Sequence, residues 1–193
     1  MSNNYSILLT GAAGGIGSVI AEHFAASGAR LLLTDLNNAA VNGLAERLHS
    51  QHGIEVQATA ADLTSESGRR EITAAAQAFR VNVLINSAGY NRFGLLADIS
   101  DTDVERIFSI NALSPILLCK ALLPWFTSQE SAHIVNIGSL ASLAPLGGLG
   151  LYIWWNDSYW TRLHGLSPLQ MTVGDLDGSG VDELIVNFGD GPG

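Results

Sequence analysis

The chain is 193 residues long, 47% hydrophobic and 14% charged, with a formal net charge of −9 at pH 7; that is apolar material for one packed domain, or a domain and a small appendage, in a folded, soluble protein. Its nine lysines and arginines are scattered, and without a basic cluster to meet a phosphate backbone nucleic acid is excluded as an expected partner. The single cysteine, Cys119, cannot form an internal disulfide and sits in an apolar helical pattern, where a buried thiol is the ordinary reading.

The opening "MSNNYSILLTG" lacks a basic leader and breaks at glycine, and the longest apolar run, "ALSPILLCKALLPWF", is interrupted by Lys120 and proline. Neither a signal peptide nor a membrane span is expected, and a cytoplasmic location is compatible with that. "YSILLTG" reads as a strand ending at glycine, and Ile16, Val19, Ile20 and Phe24 then recur at helical spacing. The pattern repeats: "ARLLLTD" as strand, "NNAAVNGLAERLHSQ" as helix, "IEVQATAAD" as strand, and "SESGRREITAAAQAF" as helix opened by a Ser-x-x-Gly turn. "VNVLINSAG" follows as strand, then a helical region from about Asp101 to Phe126, then "AHIVNIGS" as strand. Short apolar strands alternating with helices predict an α/β fold, a doubly wound parallel (Rossmann) sheet covered on both faces. The ligand crevice of such a sheet lies at the carboxyl ends of its strands.

The residues at those ends are therefore the ones that could do chemistry. In "TGAAGGIG", Gly11, Gly15 and Gly17 stand between a strand and a helix. Without Cβ atoms they let a diphosphate approach the backbone, and the helix start favours its negative charge. Asp35 closes the second strand; a carboxylate there accepts from ribose hydroxyls and repels a 2′-phosphate, favouring NAD over NADP, although the same residue serves equally as a helix cap.

With "TGAAGGIG", "ADLT", "NSAG", "SINALSP" and "IVNIGS" in that order, residues 5 to 150 resemble the short-chain dehydrogenase/reductase family. The resemblance implies a cofactor site on Gly11, Gly15, Ile16, Gly17 and Asp35, with Asp62 and Leu63 beside the adenine and Asn86, Ala88 and Gly89 lining the middle of the sheet. Ser87 takes the second place of the family's "NNAG". Asn111 matches the asparagine that holds a proton-relay water, and Ser139 the serine that hydrogen-bonds a substrate carbonyl or alcohol. The alternative reading of Asn86 and Asn111 is that they satisfy buried backbone groups. The implied chemistry is hydride transfer between a nicotinamide and a small carbonyl or alcohol, with a tyrosine handling the proton. Tyr152 stands thirteen residues after Ser139, as in the family's Tyr-x-x-x-Lys pattern, yet the fourth residue beyond it is Asn156. Lys120, the one lysine in the chain, lies far upstream, where an exposed position is expected. Catalysis is expected to be impaired.

Composition shifts near residue 150: six of the eighteen acidic residues, one arginine and three of the four tryptophans follow it. The expected organisation is an incomplete NAD(P)-binding domain over 1–150 and a second segment over 151–193. "LYIWWN", "SYWTRLHG", "LQMTVGD" and "DELIVNFG" read as four short strands, and the segment resembles one β-propeller blade of the VCBS/FG-GAP type. That resemblance implies a calcium loop in "DLDGSGVDE" with Asp175, Asp177, Ser179, the Val181 carbonyl and Glu183 as ligands, while an ordinary Asp-Gly turn fits the same residues equally well. A lone blade has unpaired edges, so the tail is expected to need neighbours, and a homo-oligomer is one way to supply them. Three functions stay open: a short-chain oxidoreductase, a dinucleotide-binding protein without turnover, and a fusion or assembly module whose tail drives oligomerisation or binds calcium or carbohydrate.

Overall fold

The computed structural model describes residues 5–92 and 96–138, and the backbone of 168–174 and 183–188. The chain falls into two units, Met1–Ile137 and Gly138–Gly193. In the first, the apolar runs form strands β1 (Ser6–Thr10), β2 (Arg30–Asp35), β3 (Val56–Ala60), β4 (Val83–Asn86) and β5 (His133–Asn136). All neighbours are parallel, in the order β3-β2-β1-β4-β5. Helices α1 (Gly15–Ala26), α2 (Asn38–His52), α3 (Glu66–Ala78), α4 (Asp101–Phe108) and α5 (Ser114–Phe126) make the crossovers.

Alternation along the strands sends side chains to two cores. Leu8, Leu32 and Leu84 pack with Ile72, Ala76 and Phe79 around α3 and with Leu118, Leu122 and Phe126 of α5. Their neighbours Ile7, Leu9, Leu31, Leu33 and Ile85 are equally buried and face the opposite side, where α1 and α2 supply Ile20, Ala25, Val41, Leu44 and Leu48. Full burial of one such side chain contributes about 1.5–3 kcal/mol, and a one-residue slip would exchange the faces of a whole strand, so register is strongly set.

The helix ends follow local chemistry. Asn37 caps α2 by accepting from the Ala40 amide (3.1 Å), Ser65 caps α3 through the Gly68 amide (3.0 Å), as its Ser-x-x-Gly turn predicts, and Ser100 caps α4 through the Asp103 amide (3.1 Å). Only α1, starting after Gly14, has no side-chain cap among these four. The helical region Asp101–Phe126 is as long as expected, but Ser109–Leu113 is a π-turn that divides α4 from α5. By length and composition this region is apolar enough to cross a membrane; its Leu118, Leu122 and Phe126 fill the core beneath the sheet. Cys119 is half-buried against that core, and burial raises its thiol pKa.

Register aligns the carboxyl edge. Thr10 pairs with Thr34 on one side and Asn86 on the other, and Asn86 pairs with Asn136. One polar rung thus closes four strands, with Thr10, Thr34 and Asn86 buried. The chain crosses from β3 to β4 over β1, so the sheet switches direction there, and a crevice opens at such a point.

In the second unit, β6 (Pro168–Gly174) and β7 (Glu183–Phe188) pair antiparallel, with Gly174 opposite Glu183 and an irregularity between Pro168 and Gln170. These are two of the four strands expected in the tail; "LYIWWN" and "SYWTRLHG" lie outside the described residues.

Candidate active site

A cleft of about 600 Å3 opens across the ends of β2, β1 and β4, lined by Gly11, Ala13, Gly14, Gly15, Ile16, Gly17, Asp35, Asn37, Ala40, Ser87 and Gly89. Its middle is the glycine turn. Gly11 has φ +63°, and a Cβ there would lie 2.6 Å from the Ala88 Cα. A Cβ on Gly17 would lie 2.1 Å from the Gly11 carbonyl oxygen. Those two glycines are needed by the turn itself. A Cβ on Gly15, by contrast, would meet nothing within 4 Å, so its bareness serves the cleft. The first amides of a helix have no intrahelical acceptor, and here the N-cap is Gly14, which has no side chain to cap them. Such a start attracts anions through both its donors and its dipole.

Asp35 sits at one end of the cleft. Its Oδ2 accepts from the Ala13 amide and its Oδ1 from the Asn37 amide, both at 3.0 Å. The capping side chain of α2 is Asn37, not Asp35. Asp35 thereby ties the glycine turn to the start of α2, and each of its oxygens keeps further acceptor capacity. A strand-end carboxylate suits ribose hydroxyls, the glycine turn suits a diphosphate, and the Ser87 hydroxyl, buried without a partner among the described residues, offers a polar contact at the far end. The donor set fits a dinucleotide laid across β2, β1 and β4.

The β4 end is built from below. The Thr10 hydroxyl accepts from the Ser87 and Ala88 amides, each at 3.1 Å. Asn86 Nδ2 donates to Asn136 Oδ1 (2.9 Å) and approaches the Cys119 sulfur at 3.5 Å, so among the described residues this nitrogen meets side chains. Asn111, in the π-turn, takes the neighbouring segment: its Oδ1 accepts from the Tyr90 amide (2.8 Å) and its Nδ2 donates to the Tyr90 carbonyl (2.7 Å). The Tyr90 hydroxyl donates to Asp103 Oδ1 (2.8 Å). That bond raises the Tyr90 pKa and lowers that of Asp103, the reverse of what a proton-transferring phenol needs.

Asp62 and Leu63 lie past the end of β3, beyond the cleft lining. Asp62 Oδ1 accepts from the Thr64 amide (2.9 Å) and hydroxyl (2.7 Å), which depress its pKa. The Leu63 side chain packs against the core, and its carbonyl accepts from Arg69 Nη1 (2.7 Å) and from the Ser114 hydroxyl (2.9 Å).

Of the ten expected cofactor residues, Gly11, Gly15, Ile16, Gly17, Asp35 and Gly89 meet in the cleft. Ala13, Gly14, Asn37, Ala40 and Ser87 join them without having been singled out as contacts; Ala13 and Gly14 were readable from their place inside the glycine motif. Ser139 and Tyr152 lie outside the described residues, as do Asp175, Asp177, Ser179 and Val181. Glu183 begins β7. Lys120 is exposed on α5.

The sheet order and the glycine-lined cleft define a Rossmann-like α/β protein. Residues 5–153 match the sequence profile of the short chain dehydrogenases, and the chain belongs to that family. It is 33% identical over 165 residues to the L-xylo-3-hexulose reductase of Hypocrea jecorina, covering 74% of this chain and 54% of that protein. Identity with dehydrogenase/reductase SDR family member 6 of Rattus norvegicus is 35% over 137 residues, 70% of this chain and 52% of that protein. A short-chain dehydrogenase/reductase from Burkholderia phymatum in complex with NAD superposes with a TM-score of 0.72 at 30% identity, covering 78% of this chain and 54% of that one. A short-chain dehydrogenase from Sphingobium yanoikuyae in complex with NADPH gives 0.70 at 33%, covering 75% and 57%. The chain spans about half the length of the curated relatives it matches.

Proposed function

We propose that this chain carries the cofactor-binding part of an NAD(P)-dependent oxidoreductase that interconverts a small carbonyl and its alcohol, with NAD preferred. The observation that carries the reading is the uncapped, glycine-lined start of α1 set beside Asp35. The structural neighbours in complex with NAD and with NADPH support it. In this reading the first amides of α1, at Gly15, Ile16 and Gly17, hold the diphosphate, and Asp35 accepts from the adenosine ribose and repels a 2′-phosphate. A nicotinamide dinucleotide bound there supplies the hydride acceptor or donor. Ser139 hydrogen-bonds the substrate oxygen and Tyr152 moves its proton.

Asn156 stands where the family's lysine is found, which favours a second reading, dinucleotide binding with little or no turnover. An unperturbed phenol has a pKa near ~10, so only about one in 10³ is ionised at neutral pH. A tuned acid/base group is worth about 10²- to 10⁴-fold in rate. The expected result is calorimetric binding of NAD more tightly than NADP, with weak or absent turnover of a secondary-alcohol panel. Folded protein that takes up neither nucleotide at millimolar excess sinks both readings, and turnover indifferent to Tyr152→Phe removes Tyr152 as the proton carrier. The blade, calcium and assembly readings of the tail rest mostly on residues outside the described ones.

A further inference from the structure

Tyr90 is held from three directions. Asn111 binds both its amide and its carbonyl (2.8 and 2.7 Å), Asp103 accepts from its hydroxyl (2.8 Å), and the Arg106 guanidinium lies 4.4 Å from its ring centre. Asp103 is itself fixed: its Oδ2 accepts from the Ser100 hydroxyl (2.9 Å) and faces Arg92 Nε at 3.8 Å. The anchors come from α4 and the π-turn, while the residue they hold follows Gly89, which lines the cleft.

The position of this clamp gives it a purpose beyond stability. The cleft crosses β2, β1 and β4 in that spatial order. With the diphosphate at the β1 turn and one nucleoside at Asp35 over β2, the second nucleoside reaches the β4 end, where Gly89 forms the wall. A Cβ on Gly89 would lie 3.5 Å from Asn111 Oδ1, so the segment's backbone rests directly on the π-turn. Ser87, on the same wall, has a buried hydroxyl without a partner among the described residues, a polar group that a ligand could meet. We propose that Tyr90 is a positioning residue for the nicotinamide half of the cofactor: by locking the Gly89–Tyr90 segment onto Asn111 and α4, it sets the wall against which that half is seated. The proposal rests on the dinucleotide reading above and adds which residue shapes the end of the cleft away from Asp35. A preset wall matters because a ligand that must order its own site loses affinity.

The test compares NAD with ADP, which spans the β2 and β1 ends but lacks the second nucleoside. Both are titrated by calorimetry into the intact chain, Tyr90→Phe and Tyr90→Ala. Expected for Tyr90→Ala is a fall in NAD affinity of about tenfold or more with ADP affinity within about twofold, and for Tyr90→Phe, which keeps the ring over Arg106, a smaller loss in the same direction. If Tyr90→Ala does not fold, Tyr90→Phe decides alone. Parent protein that binds both ligands, with variants that lose both equally or neither, overturns the proposal and leaves the dinucleotide reading standing. Parent protein that binds neither ligand overturns both.

Discussion

Gly15 and Gly17 are two residues apart in one turn, and the structure assigns them different duties. Room for a Cβ exists at Gly15 and not at Gly17. Gly17→Ala is therefore expected to destabilise the fold by about 1–3 kcal/mol, as forced overpacking does, and to lose NAD binding with it. Gly15→Ala is expected to leave the urea midpoint unchanged while weakening NAD, because its methyl projects where the cleft is open. Equal loss of stability in both would show that the whole turn, and not its inner glycine alone, is packed. At this scale the sequence was a partial guide. A glycine cluster between strand and helix announced the turn, and Asp35 was legible from its place at the end of β2. Its two backbone donors, Ala13 and Asn37, were not, because one of them lies across the turn from it. Nor was the pairing of Tyr90 with Asp103, which no fixed spacing rule connects.

The three helices of the first half end alike in shape but not in residue. Gly28 and Gly53 follow α1 and α2 with φ +83° and +66°, whereas Arg80 occupies the same left-handed place after α3 with φ +60°. The amides of Arg80 and Val81 bond back to Gln77 (3.1 Å) and Ala76 (2.9 Å), the pairing that a left-handed residue allows after a helix. A side chain with a Cβ is disfavoured there, so Arg80→Gly is expected to stabilise the protein by about 0.5–1 kcal/mol, read as a higher urea midpoint at unchanged slope. A lower midpoint would mean that the arginine side chain contributes more than its backbone costs. Elements were the most legible level of this molecule. Apolar runs bounded by Gly, Asn and Asp located every strand of the sheet, and Ser65 with Gly68 marked a real cap. The π-turn escaped, because a single widened turn inside an apolar region barely disturbs the helical recurrence, and its signature is the wider bonding of the backbone.

For the molecule as a whole, charge predicts how stability varies with pH. The pKa values of Glu22, Glu55, Asp62 and Asp103 are all depressed, first by hydrogen bonds from His52, Arg30, Thr64 and Tyr90 respectively. In the acid range the unfolded chain then binds more protons than the folded one. Their contribution is present above the ordinary carboxylate range, about pH 4, and is lost as pH falls through the depressed folded values. Glu22 and Glu55 are well exposed, and solvent keeps their share small. Tyr90 has the opposite sign: its raised pKa favours the folded state below about pH 10, an advantage lost as pH rises through the folded value. Urea midpoints measured across pH should therefore fall at both extremes, and Tyr90→Phe should flatten the alkaline arm; a midpoint that climbs on acidification would contradict the assignment. The architecture of the five-stranded sheet was readable because parallel strands buried on both faces leave continuous apolar runs.

The bare first turn of α1 also bears on the choice of buffer. Amides left without a side-chain cap donate to any small oxyanion of suitable size, and phosphate, sulfate or citrate in the solvent would crowd the same spot. Titrations run in an amine or sulfonate buffer at low salt report the intrinsic strength of nucleotide capture, whereas those run in phosphate report it after competition.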